Sequence, residues 1–292
     1  MPERGSPTVR RRRLGYELRQ RREAAGRTGE EAAAALGWSD SKVSRIETGR
    51  IAVTWGDVSD MLDLYGVTDP RVRDALIGLA REARQQGWWH PYASILGRPY
   101  ATYIGLESAA ESLRVFEPLT VPGQLQTEPY ARAIIGTSTR ELSPDEVDQR
   151  VEVRLRRQDL IFKGEDPLRL SAVLDEAALR REVGGPEVMA GQARRLIEAA
   201  GHPRVRIQVL AFAQGSHVSM AGSFGIFSFP GDPGGDTALV DTMAGSLFIE
   251  RPAEVAAARD AFDELTAQAL SREDTLALLT EVAAAYQRRC PE

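Results

Sequence analysis

Cysteine, lysine and histidine are scarce in this chain. Its one cysteine, Cys290, excludes an internal disulfide and a cysteine metal cluster. The three histidines, His90, His202 and His217, are too scattered to bind a metal at ligand spacing. Arginine therefore supplies nearly all of the positive charge. We expect no metal site.

Long apolar runs and catalytic motifs are also missing. No stretch approaches the roughly 18 apolar residues of a membrane-spanning helix, and no apolar segment follows the arginine-rich beginning, so we expect a cytoplasmic protein without a membrane partner. The sequence contains no Gly-x-Ser-x-Gly elbow, phosphate-binding loop or dinucleotide fingerprint. We therefore predict a protein that is not an enzyme and that needs no cofactor.

Charge is divided unevenly along the chain. The whole chain has a net charge of −5, yet residues 1–50 hold 12 Lys/Arg against 7 Asp/Glu. A basic start in an acidic chain is typical of a nucleic-acid module joined to a partner domain. With 292 residues, of which 42% are hydrophobic, the chain is long enough for two cores.

The first residues combine flexibility with positive charge. Residues 1–8 contain two prolines and no periodicity, which predicts a loose arm. An arginine run follows and includes Arg11, Arg12 and Arg13. These side chains either contact DNA phosphates or the minor groove, or they form a solubilising cap on the first helix.

Capping signals then predict a series of helices. Residues 9–25 form a first helix that Gly26 ends, and Thr28 with Glu31 forms a capping box for a second helix over residues 29–36. A short turn with Gly37 leads to Ser39, which caps a third helix. Two further helices are predicted at residues 54–65 and 71–86. A short glycine turn between the second and third helices is typical of a helix-turn-helix.

The third helix has an apolar and a polar side. Val43 and Ile46 are three residues apart and turn inward. The outward residues are Asp40, Ser41, Lys42, Ser44 and Arg45. This polar face suits base edges in the DNA major groove, although an ordinary solvated amphipathic helix has the same pattern.

The motifs at residues 19–26, 28–36, 41–47 and 49–50 resemble those of the Cro/repressor-type (XRE) helix-turn-helix family. The resemblance implies a structural ion pair between Arg22 and Glu47. It implies base readout by Asp40, Ser41, Ser44 and Arg45. It is consistent with phosphate contacts from Arg11, Arg12, Arg13, Thr28, Gly29, Ser39, Lys42 and Arg50.

Two positions depart from a simple reading of the family pattern. Family members often have glutamine where this chain has Gly29, so only a backbone amide at a helix N-terminus remains there for a phosphate. The Asp40 carboxylate repels phosphate, and it either accepts a hydrogen bond from cytosine or caps and orients the helix. Arg45 is the stronger candidate for a bidentate guanine contact.

Aromatic residues concentrate at residues 87–103, between a helix-turn-helix domain at 1–86 and a second domain at 104–292. We expect this connector to pack the domains together rather than to stack on single-stranded nucleic acid, because it lacks interleaved basic residues. Residues 106–115 look helical. Alternating segments then predict strands at residues 168–174, 205–210, 223–229, 237–241 and 246–249.

These patterns predict a multidomain chain, with an all-α N-terminal domain and an α/β C-terminal domain that dimerises and regulates. Residues 116–127, 222–224, 227–232 and 252–255 resemble the large C-terminal domain of actinobacterial antitoxin-like regulators. That resemblance implies a small neighbouring-gene protein as a partner, and a small-molecule effector stays open beside it.

His217 is the one remaining candidate outside the helix-turn-helix. It is either a hydrogen-bonded structural residue or part of a ligand or partner pocket with Met220, Phe224 and Phe227. We predict a sequence-specific regulator that binds double-stranded DNA as a homodimer on an inverted repeat. The alternative is an antitoxin-like module that sequesters a small partner and regulates its own promoter.

Overall fold

The computed structural model describes residues 6–137, 141–163, 167–229, 235–242 and 245–290, which form two compact units. Unit 1 comprises Met1–Pro91 and Ala101–Ala109, and unit 2 comprises Tyr92–Tyr100 and Ala110–Glu292. The aromatic segment at residues 87–103 is therefore shared between the two units. Among the described residues, no helix is long and apolar enough to cross a membrane.

Unit 1 contains five consecutive helices, as the capping signals predicted. They are α1 (Pro7–Ala24), α2 (Gly29–Leu36), α3 (Asp40–Glu47), α4 (Trp55–Leu64) and α5 (Pro70–Glu82). The Thr28 and Thr54 side chains cap α2 and α4 as expected. The helix predicted at residues 71–86 is observed as α5, which ends at Glu82, four residues earlier than predicted.

The described end of the predicted loose arm is ordered, so the prediction is wrong for residues 6–8. The Ser6 side chain accepts a hydrogen bond from the Val9 amide, and Pro7 occupies the first turn of α1. A proline there needs no amide partner, which favours a helix start. Ser6 and Thr8 are both buried. Residues 1–5 lie outside the described residues.

The core of unit 1 lies where α1, α3, α4 and α5 converge. It contains the fully buried Leu18, Val58 and Leu62, together with Ile46 of α3. Burial of each such side chain contributes about 1.5–3 kcal/mol. The core therefore fixes the orientation of α3, whose outer face is the candidate site.

A sixth helix, α6 (Ala93–Glu107), is broken at Gly97 and contributes residues to both units. Gly97 has a positive φ of 67°, a conformation that glycine adopts without strain. Within unit 1, the second half of α6 lies against the start of α1. Gly105 approaches Thr8 so closely that no side-chain carbon fits at position 105.

Unit 2 is built on a six-stranded mixed sheet with the order β3-β2-β1-β4-β5-β6. Its strands are β1 (Ser112–Glu117), β2 (Arg169–Asp175), β3 (Val205–Leu210), β4 (Phe224–Ser228), β5 (Thr237–Thr242) and β6 (Gly245–Ile249). The first three strands are parallel, and the remaining pairings are antiparallel. Together with the helices, this sheet confirms the predicted α/β class of the C-terminal domain.

The central strand was not predicted. Residues 106–115 were expected to be helical, but α6 ends at Glu107 and β1 starts at Ser112. β1 pairs with β2 on one side and β4 on the other. These two pairings satisfy the backbone hydrogen bonds of the segment. They outweigh the helical spacing of its apolar residues.

Helices cover the sheet and connect its strands. They are α7 (Glu128–Gly136), α8 (Pro144–Phe162), α9 (Glu176–Arg180), α10 (Pro186–Ala200), α11 (Pro252–Gln268) and α12 (Arg272–Gln287). Phe262 and Leu265 of α11 pack on Phe116 and Val173 of the sheet. The part of the sheet face around Phe116 and Val173 is therefore covered by α11.

Candidate nucleic-acid interface

A tight turn between α2 and α3 sets the direction of α3. The Thr28 and Glu31 side chains form the predicted capping box of α2, and Gly37 ends that helix with a left-handed φ of 67°. The Ser39 side chain then accepts a hydrogen bond from the Lys42 amide at 3.2 Å and caps α3. Each of these features was expected, because capping depends on residues within one helical turn.

The inner side of α3 is fixed by packing. Val43 and Ile46 are 1% and 2% exposed, as predicted from their spacing. Gly15 of α1 brings the two backbones together, since an added Cβ would lie 2.5 Å from the carbonyl oxygens of Ile46 and Glu47. The sequence did contain a signal for this contact, because glycine inside a helix costs about 1 kcal/mol relative to alanine and needs a reason.

Arg22 and Glu47 tie the end of α3 to α1. Arg22 Nε and Nη2 donate to the two carboxylate oxygens of Glu47 at 2.7 and 2.8 Å, and Nη1 donates to the Arg27 carbonyl at 2.7 Å. The hydrogen bonds that Arg22 donates to Glu47 raise the pKa of Arg22. The geometry is that of a bidentate guanidinium–carboxylate pair, so α3 is held at its last residue as well as along its inner face.

The outer side of α3 carries the residues predicted to read bases. Asp40, Ser41, Ser44 and Arg45 are all exposed. Arg45 Nε donates to the Ser41 carbonyl at 3.0 Å. Among the described residues, the terminal guanidinium nitrogens of Arg45 have no hydrogen-bond partner. A fork of this kind can donate two bonds to guanine.

Lys42 is engaged within unit 1. Its ammonium lies 3.5 Å from the centroid of the Trp38 ring and 3.6 Å from Asp57 Oδ1. Cation–π and ionic contacts of this kind hold the side chain beside the start of α4. A phosphate contact by Lys42 stays a prediction, and it would require this side chain to share its charge with Asp57.

Gly29 and Asp40 are neighbours. A Cβ added at Gly29 would lie 3.3 Å from Asp40 Oδ1. The Asp40 carboxylate therefore lies beside the first turn of α2, where backbone amides favour an anion. Glycine at position 29 leaves space for this carboxylate, and the predicted phosphate contact at Gly29 would have to compete with it.

The arginine run at the start of α1 divides between internal contacts and solvent. Arg10 Nε lies 3.0 Å from Glu82 Oε2, and burial lowers the pKa of Arg11, whose Nη2 donates to Thr8. The backbone of Arg12 lies against Gly49. Arg13 is exposed. Arg13 is thus the member of this run that is best placed for a phosphate.

The remaining predicted phosphate contacts are two hydroxyls and one arginine. Thr28 Oγ1 accepts a hydrogen bond from the Glu31 amide at 3.1 Å, and Ser39 Oγ lies 3.1 Å from Ser41 Oγ. A hydroxyl that accepts at a cap still has a proton to donate. Arg50 is exposed just after α3.

Comparison with protein families identifies both units. A helix-turn-helix domain profile matches residues 13–76, and a profile described as a domain of unknown function (DUF5753) matches residues 100–281, more than half of the chain. The chain belongs to the DUF5753 family. Its N-terminal region is a helix-turn-helix domain of the kind that binds DNA. No curated protein and no solved structure matches the chain.

The DUF5753 region does not bring the four predicted pocket residues together. Phe224 and Phe227 are three residues apart on β4, so they lie on opposite faces of the sheet. Phe227 is fully buried, whereas Met220 is 70% exposed. The strand prediction for residues 223–229 already implied this separation.

His217 of the DUF5753 region has structural contacts. Its Nδ1 accepts a hydrogen bond from the Ser219 amide at 3.2 Å, and its ring packs edge-on against Phe116 with centroids 5.2 Å apart. Nε2 lies 3.8 Å from Asp175 Oδ2. These contacts agree with the structural alternative for His217. Among the described residues, no group of three or more His, Cys, Asp or Glu side chains is placed to hold a metal.

Proposed function

We propose that the protein is a sequence-specific regulator of transcription that inserts α3 into the major groove of double-stranded DNA. The observation that carries the proposal is the outer face of α3, where Arg45 and three other polar side chains are exposed on a helix fixed from behind. A rigid backbone with free donors is what base readout requires. The proposal assigns the protein no catalytic activity, and it keeps the XRE-type resemblance of the helix-turn-helix.

The proposal includes a homodimer on an inverted repeat. One recognition helix contacts too few base pairs to compete with the many non-specific sites of a genome. Two copies related by a two-fold axis would read half-sites about one helical turn apart. In this proposal the DUF5753 region contributes the dimer contact and receives a signal from a small molecule or a protein partner.

The test starts from the full chain and an unbiased selection of DNA duplexes. If α3 reads bases, selection enriches an inverted repeat, and Arg45→Ala loses about 1–3 kcal/mol of discrimination at one base pair of each half-site. Sedimentation of the complex is expected to give two chains per duplex. Arg13→Ala is expected to weaken binding to all sequences alike and to reduce the salt dependence by about one ion.

Arg71→Ala is the matched control. Arg71 is exposed on α5, so its substitution removes the same charge outside the α2–α3 pair. It is expected to leave sequence preference unchanged. If Arg13→Ala changes the preferred base while Arg45→Ala weakens all DNA equally, the assignment of readout and phosphate contact is reversed. If selection enriches no sequence, the proposal of a sequence-specific regulator fails.

A further inference from the structure

Unit 2 contains a cavity at the end of the sheet where β2 and β3 begin. The cavity has a volume of about 420 Å³ and lies between these strands, the last turn of α10 and the first turn of α12. A volume of this size matches that of small-molecule sites. A second cavity of about 170 Å³ shares Ser171, Arg206 and Gln208 with the first.

The larger cavity is lined by positive charge. Its arginines are Arg169, Arg204, Arg206 and Arg272, and the described residues that line it include no Asp or Glu. The smaller cavity adds Arg114 and one carboxylate, that of Asp263. This concentration is unexpected from the sequence, because the residues after position 50 carry a net negative charge.

The register of the parallel strands brings three of these arginines together, Arg114, Arg169 and Arg206. Arg114 of β1 is opposite Ser171 of β2, and Ser171 is opposite Arg206 of β3. Side chains two residues apart share a face, so Arg169 lies on the same side as Ser171. Further along this face, Phe116 and Val173 are covered by α11. Arg114, Arg169 and Arg206 thus occupy the part of the face that lies next to the covered core, whereas Arg204 directly precedes β3 and Arg272 is the first residue of α12.

The available counter-charges balance only part of this cluster. Arg169 pairs with Glu111 at 3.2 Å, and Arg114 pairs with Asp263 at 3.4 Å. Arg272 Nη2 donates to the Ala200 carbonyl at 2.7 Å, which supplies no negative charge. Within the described part of the chain, the guanidinium groups of Arg204 and Arg206 have neither a hydrogen-bond acceptor nor an ion-pair partner. Clustered like charges repel each other, and a bound anion would relieve that repulsion.

The geometry points to a binding site for a phosphorylated small molecule in the larger cavity, with Arg204 and Arg206 as its principal donors. Planar guanidinium groups match phosphate oxygens with two parallel hydrogen bonds, and several arginines fit a ligand with more than one negative charge. The concave shape and limited volume favour a small molecule over a nucleic-acid backbone. The site does not depend on the proposed DNA binding, because it lies within unit 2 and is tested without DNA.

Calorimetric titration of the full chain provides the test, with inorganic pyrophosphate, adenosine triphosphate and neutral adenosine as probes. We expect at least one of the two anions to bind at a one-to-one ratio, with adenosine at least tenfold weaker. Tighter binding of the triphosphate than of pyrophosphate identifies a nucleotide-like ligand. The reverse order identifies a phosphate compound without a base. Either order supports the site.

Arg204→Gln/Arg206→Gln is expected to weaken anion binding at least tenfold, because two charge-assisted contacts are lost. Arg181→Gln/Arg251→Gln removes the same charge from two exposed positions that do not line the cavity, and it is expected to change the affinity less than twofold. Circular dichroism checks the fold of each variant. Arg206→Lys serves as a second variant that keeps the charge, and we expect an intermediate loss because the fork geometry is removed.

Three results would overturn the proposal. The first is the absence of measurable binding of both anions to the full chain. The second is an equal loss of affinity in the cavity variant and in the control variant, which would indicate attraction by total charge. The third is an anion affinity that the cavity variant leaves unchanged while its non-specific DNA binding falls tenfold. That result would assign these arginines to nucleic acid instead.

Discussion

The ion pair between Arg22 and Glu47 gives the sharpest prediction about the recognition helix. The Arg22 side chain is 10% exposed and the Glu47 side chain 7%, so both charges are largely removed from water. Arg22→Met keeps an unbranched side chain of similar length but removes all three hydrogen bonds that Arg22 makes to Glu47 and to the Arg27 carbonyl. Glu47 is then left as a buried carboxylate without its cation.

The expected cost follows from that unpaired charge. Breaking a buried ion pair by removing one partner destabilises a protein by about 3–5 kcal/mol, a large fraction of the 5–15 kcal/mol that holds a domain folded. Removing both partners is much less costly, because no isolated charge remains. We therefore expect Arg22→Met/Glu47→Leu to recover most of the stability that Arg22→Met loses.

Tryptophan fluorescence can measure this effect in the full chain. All four tryptophans lie in unit 1, at positions 38, 55, 88 and 89. Their signal during urea unfolding therefore reports on unit 1. With a slope of about 2 kcal/mol per molar urea, a loss of about 4 kcal/mol lowers the midpoint by about 2 M.

An exposed ion pair on the same helix provides the control. Arg19 lies 2.8 Å from Glu23, and the two side chains are 56% and 44% exposed. Arg19→Met is expected to cost less than about 0.5 kcal/mol. A similar small loss for Arg22→Met would refute our reasoning, and so would a double variant as unstable as Arg22→Met. In either case packing alone would hold α3 against α1.

Three further predictions concern single substitutions. Gly15→Ala is expected to lower the urea midpoint of unit 1 and to weaken DNA binding, because the added carbon meets the backbone of α3. Gly78 lies on α5 with open space around it, so the control Gly78→Ala is expected to stabilise unit 1 by about 0.5–1 kcal/mol. Tyr65→Phe is expected to leave stability unchanged or to raise it by about 1 kcal/mol, because the buried Tyr65 hydroxyl has no hydrogen-bond partner among the described residues. Burial and the nearby Asp241 raise the pKa of Glu117 to about 8. The folded state therefore favours the protonated form of Glu117. As the pH rises from about 5 to 8, this group lowers the stability of the wild-type protein by about 1.4 kcal/mol per pH unit. Glu117→Gln is expected to remove this dependence.

Each of these three predictions can be refuted by a specific result. Equal effects of Gly15→Ala and Gly78→Ala would mean that α1 and α3 are not in close backbone contact. A loss of more than about 1 kcal/mol in Tyr65→Phe would mean that the hydroxyl has a stabilising partner. For Glu117, thermal unfolding of unit 2, followed by circular dichroism, must converge for wild type and Glu117→Gln at low pH. Parallel curves across the pH range would exclude the raised pKa.

The helix-turn-helix could be predicted because its signals are local. A capping side chain, a left-handed glycine and a pair of inward residues each act within one or two helical turns. Thr28, Gly37 and Ser39 therefore have the roles that the sequence indicated. The partner of Lys42 could not be predicted in this way, because Asp57 belongs to the next helix and only the fold brings it within reach.

The sheet shows where local reasoning fails. Residues 112–115 form the start of β1 because β2 and β4 lie on either side, and both partners are distant in sequence. No pattern within the segment reports these pairings. The cluster of arginines at the two cavities has the same origin, since Arg114, Arg169 and Arg206 come from three strands. The separation of Phe224 and Phe227, by contrast, follows from strand alternation alone.

The division of α6 has a consequence for protein synthesis. Unit 1 needs Ala101–Ala109 as well as the segment that ends at Pro91, and Gly105 lies against Thr8 near the start of α1. At about 5–20 residues per second, the ribosome takes roughly one to four seconds to extend the chain from Pro91 to Ala109. During this interval helices α1 to α5 have all been synthesised, but the segment that lies against Thr8 is still being added. Unit 1 is therefore completed during translation only when Ala101–Ala109 has been added, and this segment leads directly into β1 of unit 2.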